Sequence, residues 1–171
     1  TPTPPTKPET YLLGASVNSA KLAADLKISF AFAKFFNSDQ EVLRDAAKTY
    51  RDNYPQGTFI VSVAVIAAPT EEEAKVLAGK QKIVKVVLAS GRTLTLQTVE
   101  QAEKFGIESG EGYEVKEFDA DIIYGTSEQV KASLDEIHEL YGADEFILHT
   151  PIPSAEERLR SFKLLSPKYI N

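Results

Sequence analysis

The sequence predicts an α/β domain with a parallel sheet, on three observations. Short apolar runs alternate with helix-forming segments along most of the 171 residues, the pattern of strands joined by helical crossovers. One run, Phe59 to Ala67, is apolar along nearly its whole length, as strands buried on both faces are. Helix-opening pairs recur in the segments between the runs: Ser38 with Glu41, Thr70 with Glu73, Thr126 with Gln129 and Ser154 with Glu157. Each places a capping hydroxyl three residues before a carboxylate or amide.

Residues 1–9, with four prolines, read as an extended linker, because proline fixes φ and removes a donor. Residues 11–15 form a short strand that stops at Gly14 and Ala15, and 17–26 a helix rich in Ala and Leu. Residues 28–33 (Ile-Ser-Phe-Ala-Phe-Ala) are a second strand. A helix opens at Ser38, with Leu43, Ala46, Ala47, Tyr50 and Tyr54 at helical spacing on one face. Pro55-Gln56-Gly57 ends it. After the third strand, 59–67, Thr70 opens a helix expected to run towards Leu88, broken by Ser90-Gly91-Arg92.

Residues 91–119 are the least regular part, expected to hold a short helix near 98–105 and then Gly106, Gly110 and Gly112 among acids. The segment reads as an excursion on one face. Residues 118–124 are weakly extended. Val130, Leu134, Ile137 and Tyr141 stripe the next helix, which Gly142 caps. Phe146-Ile147-Leu148 is the last strand, and the final helix runs from Ser154 to Leu165, ended by Pro167. Four βα units are too few for a closed eight-stranded barrel; they fit half of one, or a small open sheet.

Composition narrows the function classes. The 43% hydrophobic and 26% charged content is ordinary for a globular protein, and the length supports one domain with a real core. A formal charge of −6 argues against nucleic acid, whose phosphates are held by dense Lys and Arg. No apolar run approaches the roughly 20 residues that span a bilayer, and nothing resembles a signal peptide. There is no cysteine, hence no disulfide framework or thiolate chemistry; the expected compartment is the cytoplasm. The absence of methionine means that the start residue is missing, so a processed, clipped or partial chain is expected.

The corner at residues 14–19 is where chemistry concentrates. The first amides of a helix have no intrahelical partner and, with the positive end of the helix dipole, attract anions. Gly14 and Ala15 remove side-chain bulk, and Ser16 and Ser19 each carry a hydroxyl. The same residues also suit an ordinary strand-to-helix turn with Ser16 as N-cap. No metal-ligand spacing and no Ser-His-Asp set is visible, which leaves zinc and hydrolase chemistry without support.

Several stretches, in order, resemble the bacterial luciferase-like family of flavin-dependent monooxygenases. They are residues 12–24 (Leu-Leu-Gly-Ala-Ser-x-x-Ser-Ala-x-Leu-Ala-Ala), 30–36 (Phe-Ala-Phe-Ala-Lys-Phe-Phe) and 67–74 (Ala-Ala-Pro-Thr-Glu-Glu-Glu-Ala). Residues 125–130 (Gly-Thr-Ser-Glu-Gln-Val), 143–148 (Ala-Asp-Glu-Phe-Ile-Leu) and 157–165 complete the set. The resemblance covers residues 10–171 and implies half of a (βα)8 TIM-type barrel, strands five to eight with their helices, with 91–119 as a lid. The family's first half, with a histidine that serves the flavin chemistry, has no counterpart here.

The resemblance further implies that Gly14, Ala15, Ser16, Val17, Asn18 and Ser19 hold the phosphate of FMN, with Phe32 offered beside its ring. A deazaflavin is the alternative cofactor. Reduced flavin and O2 would oxidise a small organic substrate, and this half by itself would be inactive. Catalytic residues are expected in the absent half; Lys34, where close relatives carry histidine, and His149 are the candidates in this chain. The implied partners are the missing N-terminal half-barrel, a second copy in a homodimer and a flavin reductase. A half-barrel with open edges also suits a non-catalytic flavin- or partner-binding module that self-associates. His138 and the acidic clusters at 71–73 and 108–117 read as solvated surface.

Overall fold

The computed structural model describes residues 8–96 and 98–166; the expected linker lies mostly outside them, as does Pro167. The described chain contains eight strands and six helices. They fall into two compact units, one holding the chain up to Val65 with Glu128–Thr150, the other Ile66–Ser127 with the chain from Pro151 on. No helix among the described residues is long and apolar enough to cross a membrane.

The first unit is the predicted parallel sheet. Strands β1 (Tyr11–Gly14), β2 (Ser29–Ala33) and β3 (Phe59–Ala67) are hydrogen-bonded neighbours, all parallel. Strand β8 (Glu145–His149) lies parallel along β3. Helix α1 (Val17–Leu26) joins β1 to β2, α2 (Gln40–Asn53) joins β2 to β3, and α5 (Ser127–Tyr141) leads into β8. Leu12 pairs with Phe30, and Phe30 with Phe59, so these side chains share one face of the pleat. Phe30 stacks on Phe59 with ring centroids 6.0 Å apart and meets Tyr50 of α2 at 5.7 Å. The buried Tyr50 hydroxyl donates to the Ile28 carbonyl at 2.9 Å, which satisfies the one polar atom its ring brings into the core. All nine residues of β3 are buried, as its apolar run requires.

Several helix caps follow the sequence signals, and that of α2 is shifted by one residue. Ser16, Thr70 and Ser154 each cap a helix through the expected hydroxyl, and Gly142, at φ 66°, closes α5 by donating its N–H to the His138 carbonyl. The cap of α2 is Asp39 instead of Ser38; its carboxylate accepts from the Glu41 and Val42 amides. A carboxylate accepting two amides at a positive helix end is the stronger cap.

The second unit departs most from the sequence expectation. The helix after Thr70 is only α3 (Glu71–Gly79), and 82–88 is strand β4 (Lys82–Leu88). Ile83, Val84, Val86 and Val87 suit a helix stripe and a strand alike, but β-branched side chains favour the strand. The described residues of 91–119 hold three regular elements: β5 (Thr93–Leu96), α4 (Val99–Ser109) and β6 (Tyr113–Asp119). β4 is flanked by β5 and β6 in an antiparallel three-stranded sheet. Val84, Val86 and Leu88 pack with Ala102 of α4 in its core. Residues 118–124 divide into the end of β6 and a separate strand, β7 (Ile122–Gly125). β7 adjoins β3 in the sheet order, where the Ala68 amide donates to the Gly125 carbonyl at 3.0 Å. The final helix, α6 (Ala155–Leu165), follows, and its buried Ser161 hydroxyl accepts from the Ala67 amide at 2.9 Å.

Candidate functional site

The corner between β1 and α1 is built on close approach. A Cβ placed on Gly14 would stand 2.3 Å from the Ser19 Cβ and 2.6 Å from its Oγ, distances that real side chains do not tolerate. Glycine therefore lets the first turn of α1 sit against the strand end. Ser16 is extended at φ −149° and ψ 160°; its carbonyl accepts from Ala20 N–H, and its Oγ accepts from Ser19 N–H at 3.2 Å. The amides of Val17 and Asn18 are the two first-turn donors left without an intrahelical acceptor.

The hydroxyls are less open than the sequence suggests. Ser16 Oγ and Ser19 Oγ lie 2.9 Å apart and share one hydrogen bond. One hydroxyl proton is spent between them, and one stays for a ligand. The corner thus offers two amides and one hydroxyl. Asn18 is exposed and Gly14 through Val17 are half-buried, so the donors are reachable. No acidic residue stands in the first turn of α1, whereas α3 begins with three glutamates and α6 with two. An acid there would repel an anion from the positive helix end; its absence fits a phosphate.

Asn37, which sequence reasoning did not single out, fixes this corner from the next βα loop. Its Nδ2 donates to the Ala15 carbonyl at 3.0 Å, while its Oδ1 accepts from the Asp39 amide at 3.1 Å. An Asn just before a helix carries an ordinary capping signal; its partner twenty-two residues back appears only in three dimensions.

The other site residues lie along the strand ends. Phe32 is fully buried, edge-on to Phe30 at 6.4 Å, and its ring belongs to the core under the helices. Lys34 is half-buried just past β2, its amide donating to the Ser62 carbonyl at 2.9 Å. His149 is the last residue of β8, opposite Ala64, and not in the following loop. Its exposed ring meets that of Phe35 at 5.8 Å. Lys34 and His149 thus stand at the C-terminal ends of β2 and β8, on either side of β3. His138 serves structure, its Nδ1 lying 2.7 Å from the Ala143 carbonyl. Of the acidic clusters, Glu73 pairs with Arg160 at 2.8 Å and Glu111 accepts from the Ser90 amide at 3.0 Å.

Known proteins similar to this chain share a theme. An N-acetyl-S-alkylcysteine monooxygenase from Bacillus subtilis (strain 168) is 39% identical over 163 residues, which are 94% of this chain and 49% of that protein. A luciferase-like monooxygenase from Escherichia coli (strain K12) is 31% identical over 161 residues, covering 90% and 47%. Among solved structures, apo-MsnO8 matches with a TM-score of 0.69 and 27% identity over 96% of this chain and 52% of its own. The oxygenating constituent of 3,6-diketocamphane monooxygenase from the CAM plasmid of Pseudomonas putida, solved in complex with FMN, shares the fold. Its TM-score is 0.60 at 16% identity, over 95% of this chain and 48% of its own. No family model matches. The chain spans about half the length of the curated relatives it matches. With these likenesses and its parallel α/β sheet, the chain is similar to the luciferase-like monooxygenases over about half of their length.

Proposed function

We propose that this chain is the C-terminal, phosphate-holding half of a luciferase-like, FMN-using monooxygenase. The corner at Gly14–Ser19 carries the reading: two unclaimed amides, one hydroxyl and no competing acid, gathered where the glycine admits close approach. Bound there, reduced FMN would supply the electrons that activate O2 for oxidation of a small organic substrate. The chain's own residues anchor the phosphate through Val17 N, Asn18 N and a serine hydroxyl, while Asn37 holds the Ala15 peptide in place. The parallel strands carry Lys34 and His149 to the end of the sheet where such sites are built.

The open sheet supports a second half from outside. Leu13 and Ile147 are 62% and 49% exposed, and Leu13 lies on β1, the edge strand. Apolar strand edges of this kind need covering; preceding βα units of the same protein would do so, and this chain without them would not turn over. A homodimer and a separate flavin reductase complete the proposal. The 39% identical relative makes S-alkylated cysteine derivatives the first substrates to try.

The test is a titration of the complete protein with FMN, followed by quenching of flavin fluorescence, with inorganic phosphate as competitor. Saturable binding that phosphate displaces supports the reading. Absence of flavin binding, with a mass measurement showing only self-associated copies of this half, would replace it with the non-catalytic module.

A further inference from the structure

Ser62 and Thr150 are the buried side chains, among the described residues, whose hydroxyls meet no hydrogen-bond partner. Leaving a buried hydroxyl unpaired costs about 1–3 kcal/mol, a cost alanine would not incur. Thr150 lies beyond the last paired row of β8, but Ser62 sits in the middle of the sheet, only 2% exposed.

Ser62 lies opposite Ala33 of β2 and Ile147 of β8. Directly opposed residues of parallel strands share a face, and alternation adds Ala31 and Ala64 to it. The opposite face carries Phe30, Phe32 and Phe59, which fill the core towards α2. The face of Ser62 therefore carries Ala31, Ala33 and Ala64 together with Ile60 and Ile147. One row further, Ala64 opposes His149, whose ring meets Phe35. Two rings thus stand at the strand ends beside a row of small side chains that holds an unpaired hydroxyl.

We propose that the Ser62 hydroxyl is a ligand-binding group, hydrogen-bonding a carbonyl oxygen or ring nitrogen at the edge of a flat heteroaromatic ring seated over Ala33 and Ala64. The inference rests on the flavin reading above. The neighbouring Phe35 and His149 rings both sit at strand ends, His149 exposed and Phe35 half-buried.

The experiment compares the complete wild-type protein with its Ser62→Ala and Ser62→Thr variants by thermal melting without ligand and by FMN titration with absorption spectra. Ser62→Ala should melt no lower than wild type, since it removes an unpaired buried group. It should bind FMN about fivefold to tenfold more weakly, the effect of one lost neutral hydrogen bond, with a changed flavin spectrum. Ser62→Thr, which keeps the hydroxyl, should keep the spectrum. An unchanged FMN affinity and spectrum in Ser62→Ala overturns the proposal, as does a lowered melting point without ligand, the mark of an internal partner. A wild type that binds no FMN overturns the flavin reading, and this inference with it.

Discussion

The Arg51 Nη2 donates to Asp144 Oδ2 at 2.5 Å, tying α2 to the start of β8. The same carboxylate oxygen accepts from the Phe59 amide at 2.7 Å, and Arg51 also donates to the Gly57 and Gly142 carbonyls. The guanidinium lies 5.9 Å from the Phe59 ring centre. These contacts gather the N-terminal ends of β3 and β8, the end of a parallel sheet whose residues serve stability and leave the chemistry to the other end. Replacing Asp144 by alanine strands the Phe59 amide and takes from Arg51 Nη2 one of its two acceptors, leaving the Gly142 carbonyl. We expect Asp144→Ala to lower stability by about 1–3 kcal/mol in urea unfolding, with FMN affinity retained.

Gly14→Ala tests the phosphate corner. The added methyl meets Ser19 at 2.3 Å, so the first turn of α1 must move off the strand. The strain should cost about 1–3 kcal/mol of stability. Losing one charge-assisted hydrogen bond to phosphate, about 1.5–3 kcal/mol, should weaken FMN binding about tenfold or more. Fluorescence titration reads the second effect and thermal melting the first. Unchanged binding would remove the corner from the site.

Gly106→Ala tests the packing of the antiparallel unit. Its Cβ would stand 2.3 Å from the Tyr113 ring, between α4 and β6. Overpacking of this kind costs about 1–3 kcal/mol, and amide exchange should show the loss in β4, β5, β6 and α4 while β1, β2 and β8 stay protected.

Glu111 gives a pH signature. The Ser90 hydroxyl, then the Ser90 amide and the Arg92 guanidinium, hold its carboxyl below the usual glutamate value. A group with a depressed folded pKa adds stability that is present above its unfolded pKa and lost as pH falls through the folded one. Carboxyl NMR titration should place Glu111 below the ordinary glutamate value, and Ser90→Ala should raise it towards that value. The stabilisation should disappear on acidification below the ordinary glutamate pKa and be unaffected between neutrality and that point.

Much of the chain outside residues 82–119 was legible because its signals are local. Three of the capping hydroxyls, the glycine at Gly142 and the apolar run of β3 each act within a few residues of themselves. Residues 82–119 were not. Residues 82–88 satisfy both periods, and their choice of strand depends on pairing with 93–96 and with the more distant 113–119. The same distance effect hid Asn37, whose acceptor belongs to another loop, and Ser62, whose importance lies in the partner it lacks.

The amino-acid order by itself determined the strand–helix alternation up to Ala67, the capping serine at the corner of residues 14–19, and which family the chain resembles, because caps, turns and apolar periods are short-range physics. Tertiary structure decided that 82–119 folds as an antiparallel sheet with a helix, that Phe32 packs inward against Phe30, and that the two serines of the corner spend one proton on each other. Those outcomes depend on which atoms meet across the fold, and such meetings are fixed only when strands pair and helices pack.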